Sequence, residues 1–349
     1  MAKNFNLKKA TPYHFATDIV ISPATTYAGE LALPYLAPAV KLASSVANGY
    51  VTELDGITSK AVVSTLTPGT MIKASGCAWD NDPTSLTLGE KVLSTVDMMV
   101  NEQVCRGTIY PTWVATQMRG RNGAIPADFG DFLLSVVAGK TAEEIEDRIW
   151  IGGGSPTMAG FLSNSGTFNR AGLGAGALVP GASGSSYYSA GKTRGVAISA
   201  ITNANIDDGL NSAYATAVAG CPGILQKDDC KFFVNQKTYG LYMQFLALSG
   251  NGQGVGMLSL NQDFNALQYL GIPVVACPGM PDDAIVLAQS SNLFFGTNLG
   301  TDVTEAKLIP FYEYDGSDNV GVAMRFAVGV QVGIPDDVVV ASTAAILPA

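Results

Sequence analysis

From Asn319 to Gly333 every second position is apolar: Val320, Val322, Met324, Phe326, Val328, Val330 and Val332. A strand turns successive side chains to opposite faces, so this period of two predicts a long strand with one buried face. It is ended by Ile334-Pro335-Asp336-Asp337. A different period runs through Pro126 to Gly154. Phe129, Leu133, Val137, Ile145 and Ile149 lie at multiples of four, with Phe132 and Val136 beside them. That spacing predicts an amphipathic helix over 127–151, opened by Pro126 and stopped by the three glycines 152–154. Thr141 and Glu144 have capping-box spacing, which makes Gly139 a candidate bend or restart midway.

Between residues 62 and 106 the chain is β-leaning. An extended run from Val62 is followed by the turn-rich Asn81-Asp82-Pro83-Thr84, and alternation resumes at Leu86/Leu88 and Val92/Ser94/Val96. Two arms around a polar tip predict a β-hairpin far longer than the usual strand of about five or six residues. A two-stranded ribbon is marginal in water, so this one needs a surface to lie on. Residues 1 to about 50 show no strong period, and small residues dominate Ala32 to Val46. Such a segment reads equally as an arm laid along other structure or as a frayed terminus. Gly152 to Gly191, rich in Gly, Ser, Ala and Asn, reads as loops and edge strands.

After Arg194, strand and helix patterns interchange. Helices are expected at 205–218 and 238–248, and strands at 231–235, 270–276, 284–288, 293–296 and 307–314. This is the signature of an α/β module.

Composition narrows the classes. At 349 residues the chain can bury a large core, yet only 14% of it is charged, against about 25% in ordinary soluble domains. So thinly charged a surface suggests that copies of the chain cover one another. The net charge is −9 and no block of Lys or Arg exists to grip phosphate, which argues against specific nucleic-acid binding. No secretory signal follows Lys3, Lys8 and Lys9, and no stretch approaches the roughly 18 apolar residues of a membrane span. The five cysteines, Cys77, Cys105, Cys221, Cys230 and Cys277, show no CxxC spacing and read as reduced, mostly buried thiols.

Catalytic and metal-binding patterns are weak throughout. His14 is the single histidine and lies in the arm, so neither a Ser-His-Asp device nor a multi-histidine metal site can be assembled. Ser186 to Thr193 imitates a phosphate loop around Lys192, but Ser186 stands where the first glycine is required. Gly172 to Ala177 matches the loose dinucleotide pattern without a strand before it. Asp80 and Asp82 lack the rest of a calcium loop, and the pairs Asp282/Asp283 and Asp336/Asp337 read as turn carboxylates that cap backbone amides. The chain is therefore read as a non-enzyme with no cofactor and no metal.

The order of parts (arm, long hairpin, long helix ending in glycines, Gly/Ser loop, α/β module, final alternating strand) resembles the major capsid proteins of tailed bacteriophages with the Hong Kong 97-like fold. Phe232-Phe-Val-Asn-Gln-Lys-Thr-Tyr239, Leu267-Gln-Tyr-Leu-Gly-Ile-Pro-Val274, Ala284 to Ala288, Leu293-Phe-Phe-Gly296 and Arg325 in the last strand carry the likeness. The resemblance implies an α+β fold with an N-terminal arm (1–60) and an extended β-hairpin loop (61–110). A peripheral domain (111–194) with a spine helix at 127–151 follows, then an axial domain (195–304) and a return to the peripheral domain (305–349). It implies a structural subunit that self-assembles into hexamers and pentamers of an icosahedral shell around double-stranded DNA, held without sequence specificity. Its place would be the virion, after synthesis in the host cytoplasm and with no membrane involved. A portal and a separate scaffolding protein would be partners, since no long charged helical region precedes the arm. Met71, Lys73, Trp79, Leu86, Leu88 and Lys91 on the extended loop become the candidate inter-subunit contacts. Some family members crosslink a lysine to an asparagine, but no partner asparagine for Lys73 or Lys91 is identifiable here. Two other readings stay open: the shell of an encapsulin-like nanocompartment, and a small-molecule-binding α/β protein built on 195–300.

Overall fold

A computed structural model of the chain describes residues 26–28, 40, 43–69, 72, 86–105, 129–152, 158–162, 186–187, 193–248, 267–299, 305–311, 316–317 and 319–343. In chain order the elements are β1 (Thr26–Ala28), α1 (Ser44–Ala47), β2 (Thr52–Leu54), β3 (Lys60–Pro68), β4 (Leu86–Ser94) and β5 (Val96–Cys105). Next come α2 (Phe129–Trp150), β6 (Ser186–Tyr187), β7 (Arg194–Ala197), α3 (Ile206–Gly220), β8 (Cys230–Val234) and α4 (Gln236–Leu248). The last are β9 (Gln268–Tyr269), β10 (Ile272–Ala276), β11 (Ala284–Gln289), β12 (Leu293–Thr297), β13 (Glu305–Pro310), β14 (Asn319–Val332) and β15 (Val339–Ser342). The class is mixed α+β.

β14 organises a six-stranded sheet. All seven residues of its expected apolar face are buried. β5 pairs antiparallel with it from Val96↔Val328 to Cys105↔Asn319. β12 pairs with Val328 to Val332 and β13 with Val320 to Arg325, so these two strands follow each other along β14. β1 and β2 complete the sheet against β13 and β12. The seven-stranded sheet runs β6-β7-β15-β11-β8-β10-β9 and is mixed.

The period of two splits the second sheet between two cores. Phe232, Ile285, Leu287, Val339 and Ala341 face one core with α3, including its Leu210, Ala213 and Ala217. Phe233, Ala284, Val286, Ala288 and Val340 face the other, shared with α2 and with the β14 sheet. Helix α3 begins where expected, with Asp207 and Asp208 in its first turn, where the helix dipole favours negative charge.

Helix α2 runs unbroken through Gly139. Thr141 does not cap a second helix; its Oγ1 donates to the Val137 carbonyl at 2.8 Å. Glycine costs a helix interior about 1 kcal/mol. Burial of Leu134 and Ala138 before it and Ala142 and Ile145 after it outweighs that. The buried stripe is also rotated from the expected one: Leu133, Leu134, Ala138, Ala142, Ile145, Ile149 and Trp150 are buried, whereas Val136 is 54% exposed. A strict four-residue row drifts around a helix of 3.6 residues per turn, and steps of three and four together keep to one side.

Three further expectations differ. The second arm of the hairpin divides at Thr95: β4 pairs with β3, but β5 leaves the ribbon for β14. Leu270 and Gly271 belong to no strand. They form the two-residue turn between β9 and β10, with φ of 49° and 85°. Mirror-image turns of this kind match the twist of a hairpin, and leucine there is strained. Finally, the boundary at 304/305 cuts across the sheets. β12 pairs with β14 and β2, whereas β15 lies in the seven-stranded sheet between β7 and β11.

Candidate functional site

The ribbon β3–β4 has two unlike faces. In its register Val62 stands opposite Val92, Ser64 opposite Glu90 and Leu66 opposite Leu88, all on one side. Ala61/Leu93, Val63/Lys91 and Thr65/Gly89 lie on the other. The second side is the anchored one. Leu93 and Val63 are buried with Ile57, against Leu54 and Phe294 of the main sheet. A β-carbon on Gly296 would collide with the Leu93 side chain, so glycine makes the seat into which the ribbon fits. Gly329 plays the same part beneath the Ser94 carbonyl. At the junction, Thr95 donates from both its amide (3.0 Å) and its hydroxyl (3.1 Å) to the Ser59 carbonyl.

The first side is bare. Val62 and Leu66 are each 61% exposed, Leu88 66% and Val92 50%. Two cross-strand apolar pairs thus stand in water on a narrow ribbon, which makes this face a candidate contact surface. Of the six loop residues expected to make contacts, Leu88 lies on this face and Lys91 lies half-buried opposite Val63. Leu86 pairs through its backbone with Pro68. Met71, Lys73 and Trp79 fall outside the described residues, as do His14, Asp80, Asp82, Lys192 and Gly172 to Ala177. Val62, Leu66 and Val92 complete the face. Their signal was the cross-strand register, which residue type alone does not supply.

A second polar construction fixes the base of the arm. Glu146 is 3% exposed on α2. Its Oε2 accepts the Ser45 amide hydrogen at 2.8 Å and its Oε1 the Ser45 hydroxyl hydrogen at 2.6 Å. The Ser45 oxygen in turn accepts the indole hydrogen of Trp150 at 2.8 Å. Glu146 and Trp150 are one helical turn apart, so one face of α2 grips α1 at two points. Beside them the loop 277–280 packs so closely that a β-carbon on Gly279 would strike the Glu146 carbonyl. An open groove of about 360 Å3 next to this contact is lined by Ser44, Lys140, Glu143, Glu144, Asp147 and Pro278. Its acidic rim disfavours phosphate ligands.

The turn carboxylates are partly employed in packing. Asp283 Oδ1 accepts the Ile201 amide at 2.7 Å, and Asp282 meets Lys237 at 2.8 Å on the surface. Cys221, Cys230 and Cys277 are buried free thiols and Cys105 is exposed; Cys77 lies outside the described residues. Burial pushes the Cys230 thiol up to about 12, with the Asp229 carboxylate adding to it. Unfolding returns that thiol to about its usual value of 9.0. Below that value both states hold the proton and stability is independent of pH. Above it the unfolded chain ionises first, and stability falls as pH rises from about 9 toward 12. Urea midpoints measured from pH 8 to pH 10.5 are therefore expected to drop less for Cys230→Ala than for the unchanged chain. Equal slopes would show that Cys230 is not sheltered.

No protein-family profile matches the sequence, and no curated protein does. Solved structures do match. The capsid of the native GTA particle superposes with a TM-score of 0.53 at 14% identity, covering 88% of this chain and 90% of that one. The capsid of Myoviridae phage XM1 gives 0.50 at 11% identity over 86% and 91% of the two chains. A structure from Gordonia phage Cozz gives 0.50 at 16% identity over 86% of each. This chain has the fold of a phage capsid subunit. The likeness covers 86–88% of this chain and 86–91% of the others, more than a shared module alone.

Proposed function

We propose that the chain is the shell-forming subunit of a tailed-phage head, with the Hong Kong 97-like arrangement of parts. The observation that carries this reading is the ribbon: anchored on one face, bare and apolar on the other, in a fold shared over 88% of the chain with a phage-like capsid structure. On this reading β3–β4 is the base of the extended loop and α2 the spine helix. The six-stranded sheet is the peripheral domain, and the seven-stranded sheet with α3 and α4 is the axial domain. Burying Val62, Leu66, Leu88 and Val92 on a neighbour would contribute roughly 1–2 kcal/mol for each side chain. The gain recurs at every subunit of a closed lattice, where weak repeated contacts add up. Met71, Lys73, Trp79 and Leu86 are proposed as further contacts of this loop, with Lys91 reaching a neighbour only from the rim of the anchored side, in hexamers and pentamers around double-stranded DNA. A separate scaffolding protein and a portal are the expected partners. With a net charge of −9 the shell would not adhere to packaged phosphate.

The test is replacement of Met71 to Leu88 by a short Asn-Gly turn. The shortened chain is expected to keep the circular dichroism of the 195–300 module and to form no closed shells in negative-stain micrographs. Strong reductant is expected to leave shells of the unchanged chain intact, since the five cysteines show no pairing pattern. Normal shells from the shortened chain would remove the assembly role of the loop. Loss of the circular dichroism signal would place the loop in the subunit's own core.

A further inference from the structure

β5 is an edge strand without the usual protection. Its ten residues pair with β14 without a bulge, and among the described residues its other edge has no partner. Its sequence, VDMMVNEQVC, contains no proline, glycine or lysine. Natural sheets guard long edges with such features, because a row of free amides and carbonyls recruits another strand. Val96, Met98 and Val100 stand beside the buried Val328, Phe326 and Met324 of β14, yet all three are only half-buried. A further strand laid along the edge would finish covering them.

Among the described residues the other long free edges are those of the ribbon, where β3 and β4 pair only with each other. β4 carries Glu90 on its bare face, an acid that Asp97 and Glu102 would repel, which leaves β3. Charge decides which edge meets which. The only charged residues in β5 are Asp97 and Glu102, and the only one in β3 is Lys60. Two β5 edges would bring carboxylates alone together, and two β3 edges would leave Lys60 without an anion. Faces and length then decide the register. Antiparallel alignment with Lys60 opposite Glu102 sets Val62 opposite Val100, Ser64 opposite Met98 and Leu66 opposite Val96. The exposed side of β3 thus extends the half-buried side of β5, with seven residue pairs in contact. A parallel alignment holding the same ion pair runs out at Cys105 after four.

Resting on the shell reading above, we propose that β3 of a second copy adds antiparallel to the outer edge of β5, in the register Lys60–Glu102. Each subunit then donates one edge and accepts another. That contact is head-to-tail, the kind that makes a ring when its rotation closes.

The experiment uses the full chain with Cys77 and Cys105 replaced by serine, assembled and then oxidised with diamide. Two pairs are in register, Val62→Cys with Val100→Cys and Ala61→Cys with Asn101→Cys. The two pairs sample both spacings of an antiparallel ladder. A third pair, Val62→Cys with Asn101→Cys, puts the thiols on opposite faces. The expected result is a ladder of linked chains on a non-reducing gel for at least one in-register pair and none for the third. Lys60→Glu or Glu102→Lys alone is expected to lower the yield of particles, and the two together to restore it. Particles without a ladder, a ladder equally strong for the opposite-face pair, or no restoration by the charge exchange would overturn this contact and leave the shell reading standing. Absence of both particles and ladder from every chain, the unsubstituted one included, would overturn both.

Discussion

Phe233→Ala is expected to destabilise the fold by about 3–5 kcal/mol, the range for removing a large buried aromatic. Phe233 is fully buried on β8, its ring centre 5.6 Å from that of Trp150 and 6.0 Å from that of Tyr50. It is the point where the seven-stranded sheet, the long helix and the segment after α1 meet in one core. The neighbouring Phe232 is equally buried, but on the opposite face with α3 and Tyr269. Both alanine variants should therefore lose comparable stability in urea titrations. They should differ locally: with Trp79 and Trp113 changed to Phe, the emission of Trp150 should shift in Phe233→Ala and stay in place in Phe232→Ala. A shift in both, or only in Phe232→Ala, would refute the assignment of the two rings to separate cores.

That pair of phenylalanines also shows what the sequence could and could not reveal. Alternation along β14 was legible because seven apolar residues at every second position leave no other period to fit. In β8, β11 and β15 both faces are buried, so the run of apolar residues gives a strand but not the division between two cores. Which sheet a strand joins is likewise a non-local fact. Nothing near Leu293 or Val339 announces that β12 lies beside β14 and that β15 lies between β7 and β11. The hairpin was legible as a length of β-structure, but its end was not. Alternation continues across Ser94-Thr95-Val96 while the pairing partner changes from β3 to β14. At the candidate surface, Leu88 could be picked as an apolar residue near a tip. Val62, Leu66 and Val92 became a face only once the register placed them side by side.

Glu146 was hidden for a different reason. It stands among Glu143, Glu144 and Asp147, a run that reads as the wet side of a helix. Yet its spacing from Ala142 and Trp150 is four residues each way, which puts it on the buried side. A carboxylate there persists because Ser45 supplies two hydrogens to it, and Ser45 is held in turn by the Trp150 indole. Ser45→Ala removes the hydroxyl hydrogen bond and leaves the indole hydrogen without an acceptor, while the Ser45 amide still donates to Oε2. Unsatisfied buried groups cost about 1–3 kcal/mol each, more where one is charged, so the expected loss is about 3 kcal/mol. Glu146→Gln should cost less than Ser45→Ala, because a neutral amide carbonyl can still accept one of the two hydrogens and no buried charge is left. Combined with Ser45→Ala it should be clearly non-additive, the two residues being in contact. Hydrogen exchange offers the second reading. Amides 44–52 should lose protection in Ser45→Ala, whereas those of β8 and β11 should change only as far as global stability requires. Additive losses, or unchanged protection over 44–52, would mean that the serine does not hold the arm to the long helix and that apolar packing of Val40, Ala43 and Val46 does so alone.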